Sequence, residues 1–263
     1  MTAPAQSGKP AGRYGIDAPW VPWLWVALGA LYVVFAALSG TAWGNPLWFT
    51  LLLAVVALLF FGCGALYWHA TLRGKFLIWD ELLNRAGSPG RALDLGCGRG
   101  AVSIMTARRF PRVTVDGVDL WRDIDQSGNT PEAARQNARE NGVDDRIRFS
   151  TGNMTRLPFA DDCFDLVTAS LAIHNIHSMA GRRAAIDEAW RVLRPGGRLL
   201  ILDISKTRDY VRRLGELGAV DITAAGAGWR VWWSGPWMAS RTIVAIKPEE
   251  ASVEHPPAPS HTT

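Results

Sequence analysis

Two hydrophobic patterns divide this chain. From Ala18 to Leu72 there is no Asp, Glu, Lys or Arg, and the apolar residues favour no single face. From Arg91 onward, short apolar runs alternate with stretches whose apolar residues recur every three or four positions. The first pattern predicts helices set in an apolar medium, and the second predicts a parallel sheet with crossover helices.

Within the uncharged stretch, Trp20–Leu38 and Leu47–Trp68 are each long enough to cross a hydrocarbon layer, which takes about 20 residues. Ser39–Pro46, with Gly40, Gly44, Asn45 and Pro46, forms the turn between them. Trp20, Trp23 and Trp25 lie at one end, Trp43 and Trp48 near the turn, and Trp68 and Trp79 near the exit, as in interfacial aromatic belts. Lys9 and Arg13 precede the first span, Arg73 and Lys75 follow the second, and the turn has no basic residue. That asymmetry predicts a two-span anchor in the cytoplasmic membrane, with both termini and the following domain on the cytoplasmic side. A signal peptide has a shorter apolar region and no second span, and a water-soluble helical pair is not apolar all round.

Ahead of this hairpin, residues 1–17 are rich in Ala, Gly, Pro and Ser and predict a flexible tail. Residues 248–263 predict another. The hairpin occupies 18–72 and the remaining domain 73–247. Gly74–Gly87 reads as an amphipathic helix joining the two, stopped by Gly87, Pro89 and Gly90. Strands are predicted at Ala92–Leu95, Val113–Val118, Ile147–Ser150, Phe164–Ala169 and Leu199–Asp203, with Val220–Thr223 and Thr242–Lys247 available to complete the sheet. Helices are predicted at Gly100–Arg109, Pro131–Asn141, Arg182–Leu193 and Arg208–Leu217, and Arg194–Gly197 reads as a helix stop.

Composition narrows the function classes. The net charge of +4 is modest and no basic block is interleaved with aromatics, so nucleic acid is not an expected partner. Three scattered cysteines, Cys63, Cys97 and Cys163, form no C-x-x-C pair and build neither a zinc site nor a disulfide framework.

The chemistry gathers at Leu93-Asp94-Leu95-Gly96-Cys97-Gly98-Arg99-Gly100, an apolar run entering a glycine turn that opens a helix. Gly96, Gly98 and Ala101 also satisfy a loose dinucleotide fingerprint, so the turn alone leaves a nicotinamide enzyme open. Asp94 shifts the balance, because a carboxylate there repels a pyrophosphate and attracts an ammonium or sulfonium. Asp119 ends the next strand, about 23 residues past Gly96, where an acid accepts hydrogen bonds from a ribose diol.

Leu93–Gly100, Gly117-Val118-Asp119, Leu157–Val167 and Leu193–Gly197 together resemble the class I S-adenosylmethionine-dependent methyltransferases. The likeness covers roughly Phe76 to Lys247. Asp119-Leu120-Trp121, Asp125–Asn129 and Ser170–Asn175 resemble a bacterial subgroup of that family. The resemblance implies a Rossmann-like α/β sheet of seven strands, the last antiparallel, with S-adenosyl-L-methionine as cofactor. It further implies that Asp94, Gly96 and Gly98 line the methionine moiety, with Asp94 near its ammonium. Asp119 then holds the ribose, Asn153 and Met154 border the adenine, and Cys97, Gly100, Leu120 and Ser170 complete the cofactor-binding set. The family more often carries aspartate where Asn153 stands, although an amide oxygen can still accept from an adenine amino group.

Methyl transfer needs a proton acceptor only where the acceptor atom is protonated. His174, just past the fourth predicted strand, is the candidate, with His177 three residues on; either can instead bond nearby backbone. Asp125–Asn129 reads as a cover for the cofactor or as a plain turn. Trp229, Trp232, Trp233 and Trp237 read as lipid contacts, as an acceptor wall or as core. The hairpin points to a small-molecule or lipid-like methyl acceptor and makes the lipid bilayer a partner. A non-catalytic membrane scaffold retaining the fold is the alternative.

Overall fold

The computed structural model describes residues 8–249. Two apolar helices open it, α1 (Trp20–Thr41) and α2 (Leu47–His69), packed side by side. Both are long and apolar enough to cross a membrane. Only 17% and 11% of their most apolar windows are buried, the reverse of a soluble core helix. α2 continues through a π-helical turn at Ala70–Gly74 into α3 (Lys75–Leu83), so one helical rod runs from the apolar hairpin into the polar domain.

The domain is a seven-stranded sheet. In chain order its elements are β1 (Arg91–Leu95), α4 (Ala101–Arg109), β2 (Thr114–Asp119), α5 (Pro131–Glu140), β3 (Ile147–Thr151), β4 (Phe164–Ser170), α6 (Met179–Val192), β5 (Leu193–Asp203), α7 (Thr207–Glu216), β6 (Val220–Gly226) and β7 (Arg241–Ile246). The strand order is β3-β2-β1-β4-β5-β7-β6, parallel except for β7, which runs antiparallel to both neighbours. This is the expected Rossmann-like arrangement. Helices α3, α4 and α5 cover one face, and α6 and α7 cover the other. Burial on both faces explains why β1, β4 and β5 read as apolar runs rather than as alternating strands. The connections reverse direction between β1 and β4, leaving a crevice at the carboxyl ends of those strands.

Local chemistry accounts for the boundaries. Thr130 caps α5 by accepting the Ala133 N–H at 3.1 Å, with Pro131 in the first turn. α6 begins at Met179, earlier than periodicity predicts, because the Ser178 hydroxyl accepts the Gly181 N–H at 3.0 Å. Arg194–Gly197 is not a separate turn. Phe164 pairs with Leu193 and Leu166 with Arg198, so these four residues bulge out of a strand that has already begun.

The expected N-terminal tail needs a larger correction. Residues 8–17 lie across the domain, and Tyr14 is buried against Phe76. Asn137 accepts the Arg13 N–H at 3.0 Å, Ser127 accepts the Ile16 N–H at 2.9 Å, and Asp17 bridges to Gln126. Their polar composition concealed this because the strap is held largely by side-chain amides and backbone groups, with Tyr14 and Ile16 as its large apolar anchors. Residues 1–7 and 250–263 lie outside the described residues, and most of the expected C-terminal tail lies there too.

The turn-rich Trp229–Met238 segment between β6 and β7 is where the domain meets the hairpin. Trp233 is buried edge-on against Tyr67, the His69 ring stacks on Trp229, and the Trp25 indole donates to Ser234 Oγ at 2.7 Å. Trp229 and Trp237 remain exposed, so the segment is core at Trp233 and surface at its ends.

Candidate active site

The crevice at the β1/β4 switch point opens into a cavity of about 250 Å³. Its floor is the turn between β1 and α4. Gly96 and Gly98 have φ of 65° and 51°. A β-carbon would lie 2.3 Å from Ala172 Cβ at the first and 2.5 Å from Gln126 Oε1 at the second. Gly96 therefore requires glycine by conformation and by space, and Gly98 by conformation, its only close neighbour being the end of the Gln126 side chain.

Asp94 holds this turn from beneath. Its carboxylate accepts the Ser103 N–H at 3.0 Å, the Ser103 hydroxyl at 2.6 Å and the Thr168 hydroxyl at 2.8 Å, joining β1 to the first turn of α4 and to β4. Burial pushes its pKa up to about 6 against those hydrogen bonds, and the Asp119 charge adds to the rise. Burial likewise pushes the Cys97 thiol up, which keeps it protonated and unreactive.

Asp119, at the end of β2, organises the adjoining wall. Oδ2 accepts the Gly98 N–H at 2.9 Å, and Oδ1 accepts the Trp121 N–H at 2.6 Å and the Asn129 amide at 3.2 Å. Asn129 also lines the cavity. It is almost fully buried, and among the described residues its Oδ1 has no hydrogen-bond partner. Leu120 and Met154 add apolar surface, and Ser170 accepts the Trp79 indole N–H at 2.8 Å.

The roof comes from the first part of the chain. Asp17 in the strap, and Lys75, Phe76 and Trp79 on α3, all face the same cavity. Lys75 Nζ lies 2.6 Å from Asp17 Oδ2, which also accepts the Thr71 hydroxyl at 2.6 Å. Gln126 ties the roof to the floor, its Oε1 accepting the Arg99 N–H at 2.9 Å and its Nε2 donating to Asp17 Oδ1 at 3.4 Å. At the mouth, Arg122, Asp125 and His177 complete the polar rim, and burial raises the Asp125 pKa.

The cavity thus brings together Asp94, Gly96, Cys97, Gly98, Asp119, Leu120, Asn153, Met154 and Ser170. Three expectations need correction. Gly100 does not line the cavity; with φ of 80° it starts α4, and its Cα faces the Phe149 ring. Asn153 lines the wall, but its Oδ1 already accepts the Thr155 N–H at 3.0 Å and the Thr155 hydroxyl at 2.9 Å. Only its amide N–H groups remain for a ligand. His174 is turned away. Ile173 is fully buried in the core under α6, and this places His174 Nδ1 2.5 Å from Asp203 Oδ1, with the His174 N–H donated to Asp203 Oδ2. His177 occupies the rim instead.

Sequence reasoning missed Asp17, Lys75, Gln126 and Asn129. Gln126 and Asn129 fall in the loop already marked as a possible cover. Asp17 immediately precedes the uncharged stretch and Lys75 lies just beyond Arg73 at its other end, and only that position signalled them.

Residues 92–197 match the family model of a methyltransferase domain. Over 132 residues the chain is 35% identical to a ubiquinone/menaquinone biosynthesis C-methyltransferase, UbiE, from Dinoroseobacter shibae, covering 50% of this chain and 48% of that protein. It is 40% identical over 114 residues to methyltransferase GfsG of Streptomyces halstedii, covering 43% and 37%. The chain therefore spans about half or less of the length of these curated relatives. Among solved structures, geranyl diphosphate C-methyltransferase from Streptomyces coelicolor A3(2) shares the fold with a TM-score of 0.52 at 19% identity, over 64% of this chain and 76% of that one.

Proposed function

We propose that this chain, whose residues 92–197 form a class I S-adenosylmethionine-dependent methyltransferase domain, is a membrane-anchored methyltransferase acting on a hydrophobic small molecule. One observation carries the proposal. The cavity between the glycine turn and Asp119 is roofed by the continuation of an apolar, membrane-length helix.

The donor set suits the cofactor. Gly96 and Gly98 let Ala172 and Gln126 close directly over the turn, which lines the cavity. Asp119 keeps acceptor capacity beyond its three internal hydrogen bonds, and the unpartnered Asn129 Oδ1 offers a second buried acceptor for a ribose diol. Leu120 and Met154 supply apolar contact to a nucleobase, and the Asn153 amide donates at its edge. The acids Asp17, Asp94, Asp119 and Asp125 outnumber the cations on the wall, favouring a sulfonium and an ammonium over a pyrophosphate. S-adenosylmethionine supplies an electrophilic methyl group when bound.

The chain's own work is to orient the two reactants and keep water out. Phe76 and Trp79 give the roof an apolar surface against which a hydrophobic acceptor packs. His177 replaces His174 as the group that takes a proton from the acceptor, since its imidazole is the one on the cavity rim. The basic residues flanking the hairpin, Lys9, Arg13, Arg73 and Lys75, support a mouth on the cytoplasmic side of the membrane, where a lipid-dissolved acceptor arrives without crossing water. Similarity to a quinone-biosynthesis C-methyltransferase supports a prenylated aromatic ring as the acceptor class.

The test is to incubate full-length protein in bilayer nanodiscs with methyl-labelled cofactor and a membrane lipid extract. Label should move into the organic-soluble fraction, and Asp119→Ala should abolish the transfer. Label confined to water-soluble products would overturn the hydrophobic acceptor, and no transfer to any fraction would overturn the enzyme.

A further inference from the structure

Of the two basic groups on the cavity wall other than the His177 imidazole, Arg122 is exposed at the mouth and Lys75 is buried within. Lys75 is 5% exposed, yet among the described hydrogen bonds its three-donor ammonium has a single acceptor, Asp17 Oδ2 at 2.6 Å. It also lies over the Phe76 ring, whose centroid is 5.6 Å away. Lys9 and Arg73 are close in sequence or space but exposed.

Burying an ammonium costs several kcal/mol, so a lysine held at the end of an apolar helix and turned into a cavity calls for a reason. Stability does not supply one, because an apolar residue at this position would pack against Phe76 without any need for Asp17. Position does. Asp17 accepts from Gln126, and Gln126 accepts the Arg99 N–H while closing over Gly98, so Lys75 stands three hydrogen-bond links from the glycine turn. The rest of the wall there is acidic, through Asp94 and Asp119. Among the described lining residues Lys75 is the one buried cation, so an anionic group on a ligand that reaches the interior finds its opposite charge there, with two ammonium N–H groups beyond the one given to Asp17.

We infer that Lys75 is the cavity's carboxylate-binding residue and takes the α-carboxylate of the cofactor's methionine end, with Asp17 and Thr71 as positioning residues. The inference rests on the cofactor assignment made above. Lys75 extends from the second apolar helix and Asp17 leads into the first, so both arms of the hairpin contribute to one ligand contact.

Calorimetry on the full-length protein in detergent tests this with two probes. S-adenosylhomocysteine carries the amino-acid end, and 5′-methylthioadenosine has the same nucleoside and thioether without it. Lys75→Met should weaken S-adenosylhomocysteine binding about 10- to 100-fold, as expected for one charge-assisted contact, and leave methylthioadenosine within about twofold. Lys75→Arg should keep most of the affinity. Because Lys75→Met leaves Asp17 without its cation, the double variant Asp17→Asn/Lys75→Met is measured beside it and should show the same selective loss. Unchanged S-adenosylhomocysteine binding in Lys75→Met, or equal loss for both probes, overturns the inference. If the unmodified protein binds neither probe, the cofactor assignment itself fails, and the inference falls with it.

Discussion

Asp94→Asn isolates the buried carboxylate beneath the glycine turn. In the folded chain burial raises its pKa from an ordinary aspartate value to about 6. The unfolded chain gives up this proton near pH 4, and the folded chain keeps it until about pH 6. Folding therefore takes up a proton in that window, and the native state loses stability as pH rises through it. A shift of about two units at 1.36 kcal/mol each amounts to about 3 kcal/mol, fully felt above pH 6 and absent below pH 4. Asparagine removes the titration. It also points an amide N–H toward the Ser103 or Thr168 donors, a pH-independent loss of about 1–3 kcal/mol. The difference between variant and parent should thus move in the variant's favour by about 3 kcal/mol from pH 4 to pH 7, whatever the constant offset. For a chain of this size that is about 6–12 °C in relative melting temperature. Thermal unfolding of both full-length proteins in detergent, followed by circular dichroism at intervals between pH 4 and pH 7, measures it. Other carboxylates titrate in both proteins and cancel in the difference. Parallel melting curves across that range would refute the reasoning, since they would mean that Asp94 titrates alike folded and unfolded.

Three further outcomes are expected. Asp119→Ala removes the acceptor for the Gly98 and Trp121 N–H groups and for the Asn129 amide, and should weaken S-adenosylhomocysteine binding about 100-fold by calorimetry; a change under twofold would exclude a ribose contact. Gly74→Ala would set a methyl carbon 1.7 Å from the Arg230 carbonyl oxygen, so α3 must part from the Trp229–Val231 turn at a loss of about 1–3 kcal/mol in thermal stability. Gly64→Ala meets only ordinary contacts and should melt with the parent. His177→Asn should lower turnover while leaving cofactor affinity intact, whereas His174→Asn should lower the melting temperature and spare turnover at low temperature. The opposite pattern in radiolabel and melting assays would restore His174 to the site.

Much of this architecture is written in local patterns. The uncharged stretch between Asp17 and Arg73 defines two long helices without any knowledge of the fold. The strand-turn-helix at Asp94–Gly100 and the acid at Asp119 are legible because backbone conformation and spacing dictate them within one βαβ unit. The cap at Thr130 follows from the same short-range rules, whereas the seven-stranded sheet with its antiparallel strand came from the family resemblance and its strand order from the structure.

Contacts distant in sequence were decided by the tertiary structure. His174 and His177 are indistinguishable on the chain; packing of Ile173 under α6 turns one toward Asp203 and leaves the other on the rim. The strap at residues 8–17 has the composition of a free tail, and it is ordered by partners more than 100 positions away, such as Ser127 and Asn137. Lys75 reads as one more basic residue flanking a membrane span, until the continuous helix through Ala70–Gly74 carries it into the cavity opposite Asp17. By itself the sequence determined the apolar hairpin, the sheet and the glycine turn, because each is set by periodicity or by backbone dihedrals close in the chain. The roof of the site and the histidine facing it were left to the tertiary structure, because burial and hydrogen bonding select among chemically equivalent side chains only after distant segments have met.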